Sequence, residues 1–278
     1  MGNSLRGGRP GRRGARVTSD AGSASTPHSP YARPANLPEP TSPHGKQFVK
    51  FTFFRVRDAV RAGDAAARAE AARCLAELLE RSSQRMLTRT YTTVGTRRDT
   101  DFMVWQVADD LQEIMDWQSA LLASPLASAL EQPHSFLSMT MRSMYANPLH
   151  TSAPGDPGRE RLRSDDSGAA YLFVYPMVKT REWYKLPQDR RQEIMNEHIA
   201  IGHAYHRIRI NTTYSYGLDD QEFVVAFEGD SPGEFLALVR DLRDSASSSY
   251  TERDTPMFTC RRMAPQALAA YCGLLPRD

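Results

Sequence analysis

Seven histidines are the side chains of this 278-residue chain best suited to hold a metal or to move a proton near neutral pH. His28 and His44 fall in a Gly-, Arg-, Ser- and Pro-rich opening stretch, and His134 and His150 stand beside prolines or in loops. His198 follows Ile194 by four positions and precedes Ile201 by three and Tyr205 by seven, so a helix presents all four on one face. Such an imidazole is either a hydrogen-bonded core residue or a ligand. Spacing alone leaves both readings open, and the core residue is the commoner outcome. A zinc site from His198, His203 and His206 is disfavoured: helical positions five apart diverge by about 140°, and His206 lies near the helix end. A single imidazole suffices where a planar macrocycle already supplies four nitrogens.

A second pattern lies in Tyr171 to Lys179. Alternation places Tyr171, Phe173, Tyr175, Met177 and Lys179 on one side of a strand. Tyr175 and Lys179 are then about 13 Å apart, so a redox-capable phenol and a cation could flank a large flat ligand. The ordinary alternative is a barrel strand with aromatic filling and a solvent lysine.

These residues need elements to position them. Residues 1–45 lack periodic apolar positions and read as a disordered arm. The run Gln47 to Val56 is aromatic and β-branched, which suits a strand. Asp64 opens a helix to about Gln84, and strands follow at Met86 to Val94 and Asp101 to Val107. Asp109 with Gln112 predicts a capped helix, and Ser135 to Met144 a closing strand. Residues 146–169 have the composition of an exposed linker. From Ala170 the order repeats: strand to Lys179, helix from about Pro187 to Tyr205, strand from Arg207 to Tyr216, a turn at 217–220, and a strand from Gln221 to Phe227. A helix capped by Ser231 and Glu234 and a strand from Thr255 to Arg262 complete it. Each half reads βαββαβ, over 46–145 and 170–262, with 263–278 a C-terminal tail. The fold class is α+β, two ferredoxin-like units forming a pseudo-symmetric barrel.

Bulk properties exclude several classes. The net charge of +2 does not call for nucleic acid, and the pI of 8.4 owes much to arginines in the first seventeen residues. Three scattered cysteines make neither a disulfide framework nor a metal knuckle and suit a reducing cytoplasm. The pair Arg12-Arg13 is not followed by an apolar segment, so export is not expected, and no long apolar run predicts a membrane span.

Several motifs in order resemble the chlorite dismutase superfamily. They are Tyr175-Pro-Met-Val-Lys-Thr-Arg-Glu-Trp-Tyr184, Glu197-His198 with Ile201-Gly202, the run Asn211 to Phe223, and Asp254-Thr-Pro-Met-Phe-Thr-Cys260. The resemblance covers about residues 46 to 262 and is nearest in motif to the coproheme decarboxylase branch. It implies a ring-shaped homopentamer with iron porphyrin, coproheme or haem b, in the C-terminal unit, and hydrogen peroxide as oxidant. His198 would be the axial ligand. Tyr175 would be the radical-forming tyrosine and Lys179 the lysine that assists the second propionate. Met177 would line the pocket, and Arg243, Ser248 and, more weakly, Tyr145 would contact propionates.

Two departures from the family pattern bear on chemistry. Thirteen residues after His198, where the chlorite-degrading branch carries arginine, stands Asn211, which can donate a hydrogen bond to peroxide but supplies no cation. After Arg243 the chain reads Asp-Ser-Ala-Ser-Ser, where many relatives place a glutamate near the axial histidine. The first departure counts against chlorite chemistry more than against decarboxylation, and the second, leaving the imidazole less anionic, disfavours a strong peroxidase.

Overall fold

The computed structural model describes residues 46–141, 143–145 and 168–276. The expected arm, and all but the last two residues of the expected linker, lie outside the described residues.

Among the described residues, nine strands form one antiparallel sheet: β1 (Phe48–Val56), β2 (Leu87–Thr92), β3 (Phe102–Ala108), β4 (Leu130–Met139), β5 (Tyr171–Lys179), β6 (Arg209–Tyr214), β7 (Phe223–Gly229), β8 (Thr251–Arg253) and β9 (Phe258–Arg262). Their order is β7-β6-β4-β1-β3-β2-β9-β5-β8, and β5 also pairs with β7. All but β8 therefore close into a barrel. In each half the first strand is central, β1 between β3 and β4, and β5 between β7 and β9. The seams are short, Met139 opposite Tyr214 on one side and Tyr91 opposite Arg262 on the other. The lumen is filled from both halves, with Phe53 stacked on Phe258 at a ring separation of 3.9 Å.

The helices accompanying these strands are α1 (Asp58–Arg61), α2 (Ala65–Arg85), α3 (Leu111–Leu122), α4 (Leu126–Ala129), α5 (Arg181–Lys185), α6 (Gln188–Ala204), α7 (Pro232–Asp244) and α8 (Pro265–Tyr271). Asp64 caps α2 by accepting from the Ala66 N–H, and Ser231 caps α7 by accepting from the Glu234 N–H. For α3 the cap is Asp110 rather than Asp109, bonding the Gln112 N–H at 2.9 Å.

Three further expectations are corrected. β4 begins at Leu130, earlier than Ser135, and runs through Pro133; the ladder with β1 shifts register opposite that proline, which has no N–H to give. The strand expected from Thr255 to Arg262 starts only at Phe258, as β9, and the unexpected short β8 and a 3₁₀ turn over Ala246–Tyr250 precede it. The C-terminal tail contains α8, whose Leu268 and Ala269, with Cys272 and Leu274 beyond it, are buried in the core beneath α2. No helix among the described residues is long and apolar enough to cross a membrane.

Candidate functional site

The outer face of β5 and β7 carries Phe173, Tyr175, Phe223, Val225 and Phe227, all buried, with Met177 half-buried beside them. Leu172, Val174, Val224 and Ala226 point the other way into the lumen, so the period-2 expectation for β5 holds over Tyr171 to Met177. Over this face lie α6 and α7, joined by the Tyr205 phenol donating to Asp241. The helices themselves bury little. Of the seventeen residues of α6 only Ile194 is buried, and of the thirteen of α7 only Leu238.

His198 projects from α6 toward the 3₁₀ turn. Its Nδ1 lies 2.9 Å from the Ser247 hydroxyl, and Glu197 beside it accepts from the Ala246 N–H at 2.9 Å. Burial, aided by the nearby Lys179 charge, pulls its pKa down to about 4, so the imidazole is neutral at pH 7. Lys179 is 7% exposed; its Nζ donates to the Ser247 carbonyl at 3.0 Å and sits 4.9 Å from the Trp183 ring. Burial lowers the Lys179 pKa to about 8, against the opposing attraction of Glu222. Glu222 accepts from the Lys179 backbone N–H at 2.8 Å and from the Tyr184 phenol at 2.5 Å.

Tyr175 is 8% exposed, and burial pushes its phenol well above the usual range, Asp254 reinforcing this and Arg243 opposing it. Arg243 is exposed and ion-paired with Asp254. Ser248 is half-buried in the 3₁₀ turn, its N–H bonded to the Ser245 carbonyl at 3.0 Å. Tyr145 packs edge-on to Trp183 at 6.2 Å, and burial raises its pKa while the neighbouring Arg191 lowers it. The structure therefore gathers His198, Lys179, Tyr175, Met177, Ser248, Arg243 and Tyr145 on or around one layer.

Asn211 is the exception. It is 7% exposed, lies opposite Ala226, and donates through Nδ2 to Glu228 at 3.1 Å within the buried Arg89–Glu228 pair. It faces the lumen. The outward positions of β6 are Ile210, Thr212 and Tyr214, and a Cβ on Gly202 of α6 would meet Ile210 Cδ1 at 3.5 Å. A one-residue offset in strand register moves a side chain to the opposite face.

Two residues escape the sequence reading. Ser247 touches His198, but a serine in a serine-rich stretch carries no distinguishing signal. Arg191 stands seven residues before His198, two helical turns along the same face, and its Nε is buried with no partner. That spacing could have found it. Clefts of about 300 and 370 Å³ open elsewhere, one around Arg89 and Arg262 and the other around Gln47 and Glu113, and no residue of the His198 cluster lines either.

The chlorite dismutase family model matches residues 68–263. The chain belongs to the chlorite dismutase family. Among curated relatives, the coproheme decarboxylase of Mycolicibacterium smegmatis is 30% identical over 180 residues, covering 65% of this chain and 74% of that protein. The coproheme decarboxylase of Thermus thermophilus is 30% identical over 190 residues, covering 66% of this chain and 74% of the relative. Among solved structures, a mutant chlorite dismutase from Candidatus Nitrospira defluvii superposes with a TM-score of 0.72 at 20% identity, covering 82% of this chain and 95% of that one. That likeness concerns the fold, and it agrees with the closed α+β barrel.

The residues of the layer fit a flat apolar macrocycle with carboxylate edges. A neutral imidazole could supply a nitrogen ligand, the β5–β7 face an aromatic wall, and the buried Arg191 Nε, which has no hydrogen-bond partner, a donor to a carboxylate.

Proposed function

We propose that this protein converts iron coproporphyrin to haem b by peroxide-dependent oxidative decarboxylation, with His198 holding the iron. The observation that carries the reading is the layer between α6–α7 and the aromatic β5–β7 face, in which each helix buries a single side chain and which is bordered by a neutral histidine on one side and a buried tyrosine on the other. Two similar proteins bear the name coproheme decarboxylase. The bound iron porphyrin is itself the substrate and supplies the oxidising capacity taken from hydrogen peroxide. For each propionate the balance is one carboxylate, one peroxide and one proton giving one vinyl group, one carbon dioxide and two waters.

The chain contributes orientation and proton handling. Tyr175 Oη gives up its hydrogen atom when oxidised and recovers one from the propionate chain. Its high pKa, set chiefly by burial, keeps the proton in place until then. Arg191 and Tyr145, with Arg243 at the rim, would hold carboxylates by charge-assisted hydrogen bonds. Met177 fills the wall beside Tyr175. Lys179, bonded to the Ser247 carbonyl, would act from beside His198 and hold the turn on which that histidine leans. The outward face of β6 presents Ile210, Thr212 and Tyr214, without a guanidinium to manage a chlorite oxyanion.

The test is addition of coproheme followed by stoichiometric hydrogen peroxide, with mass spectrometry of the porphyrin. Stepwise loss of two carboxyl groups is expected from the unmodified protein, and Tyr175→Phe should bind coproheme without converting it. Intact coproheme after peroxide would leave a haem carrier, and rapid oxygen release from chlorite would leave a chlorite-degrading enzyme.

A further inference from the structure

We infer that a two-serine relay, Ser247 followed by Ser245, locks His198 in its Nδ1–H tautomer and gives it a neutral hydroxyl as hydrogen-bond acceptor, making Ser247 a positioning residue for the axial ligand. The relay can be followed from its far end. The Ser245 hydroxyl lies 2.7 Å from the Leu242 carbonyl, which can only accept. Ser245 has one hydroxyl hydrogen, and this short contact takes it. The Ser245 and Ser247 hydroxyls are 3.1 Å apart, so in that bond Ser247 must donate. Its single hydrogen is then also used. The remaining contact, 2.9 Å from Ser247 Oγ to His198 Nδ1, is satisfied only if Nδ1 carries the proton and donates. Nε2 is thereby left with its lone pair free.

The surroundings hold this arrangement in place. Ser245 and Ser247 are 3% and 2% exposed, so water does not offer either an alternative partner. The Leu242 carbonyl, in the last turn of α7, also accepts the Ser245 N–H at 3.2 Å and has a second lone pair for the hydroxyl. Two further bonds fix the turn, from Lys179 Nζ to the Ser247 carbonyl and from the Ala246 N–H to Glu197.

The consequence for a bound iron rests on the reading of His198 as its ligand. The tautomer does not. An imidazole that donates to a carboxylate gains anionic character and stabilises oxidised iron, whereas one that donates to an alcohol gains less. Ser247 therefore sets His198 as a comparatively weak electron donor, and the neighbouring Lys179 cation acts in the same sense.

Nitrogen-15 NMR of the haem-free protein at pH 7, with labelled histidine, reads the tautomer directly. A protonated Nδ1 and a pyridine-like Nε2 are expected for the resonance lost in His198→Gln, and a protonated Nε2 would overturn the relay. A second arm reconstitutes the protein with haem b and measures the Fe(III)/Fe(II) potential and the iron–imidazole stretch. Ser247→Asp should shift the potential negative and raise the stretching frequency, as a more anionic ligand does, while Ser247→Thr, which keeps the hydroxyl, should match the unmodified protein. Equal potentials and stretching frequencies in Ser247→Asp and the unmodified protein would overturn the electronic role. Failure of haem to ligate His198 would instead defeat the functional reading, with the haem-free spectrum still deciding the tautomer.

Discussion

The two halves of the barrel share strand order but differ in what their helices do. In the N-terminal half, α2 and α3 bury Leu75, Leu78, Leu79, Ile114, Trp117 and Leu121 against the sheet, and α8 closes the layer from the far end of the chain. In the C-terminal half, α6 and α7 together bury Ile194 and Leu238. The same architecture is thus closed by fully buried helix side chains on one side and mostly by half-buried ones on the other. The difference lies in the helix faces. Where α2 offers leucines to the sheet, α6 offers Arg191 and His198, which are useful to a ligand and poor at sealing an apolar layer.

The largest expected effect separates the halves by stability. Leu75→Ala and Leu268→Ala each leave a cavity in the closed layer and should destabilise the protein by about 2–5 kcal/mol in urea unfolding. Ile201→Ala, at a half-buried position of α6, should cost about 1 kcal/mol or less while weakening porphyrin binding. Equal losses at the two sites would mean that the C-terminal layer is as closed as the other.

Acid sharpens the contrast. In the haem-free protein His198 has a folded pKa of about 4, below its ordinary 6.5. Between those values the unfolded chain binds a proton that the native state does not, so stability is full above pH 6.5 and falls as pH drops toward 4. The loss attributable to His198 should be on the order of 2 kcal/mol after allowance for partial exposure. Asp99 in the other half, held below the usual carboxylate range by Arg97 and then by His134, loses its contribution only at lower pH. Urea titrations of His198→Gln should therefore show a shallower slope between pH 6.5 and 4 and an unchanged one below.

Much of this is legible in the residues. The aromatic alternation of β5, the inward face of His198 and the cap at Ser231 follow from local periodicity and short-range hydrogen bonding, and the structure has them. Long-range relations are not legible. Nothing local says that α8 docks under α2, because Leu268 and Leu274 declare burial only once their partner layer exists. Ser247 is one serine among several until the turn brings it to His198. Pro133 inside β4 reads as a break because a ladder tolerates it only where the register shifts.

Asn211 gives the smallest and most discriminating test, because the two faces of β6 belong to different layers. Counting from His198 brings Asn211 to the ligand, whereas pairing with Ala226 turns it into the lumen, where its amide donates to Glu228. Asn211→Ala removes that donor from a carboxylate still held by Arg89 at 2.7 Å, so the expected cost is about 1 kcal/mol in unfolding free energy. The visible spectrum of the reconstituted protein should not change. Thr212→Val, one residue along and exposed on the outward face, should do the reverse, leaving stability within about 0.5 kcal/mol while altering the porphyrin spectrum or its peroxide reactivity. A spectral change in Asn211→Ala with none in Thr212→Val would return Asn211 to the ligand and require β6 to pair with β7 one residue out of its present register.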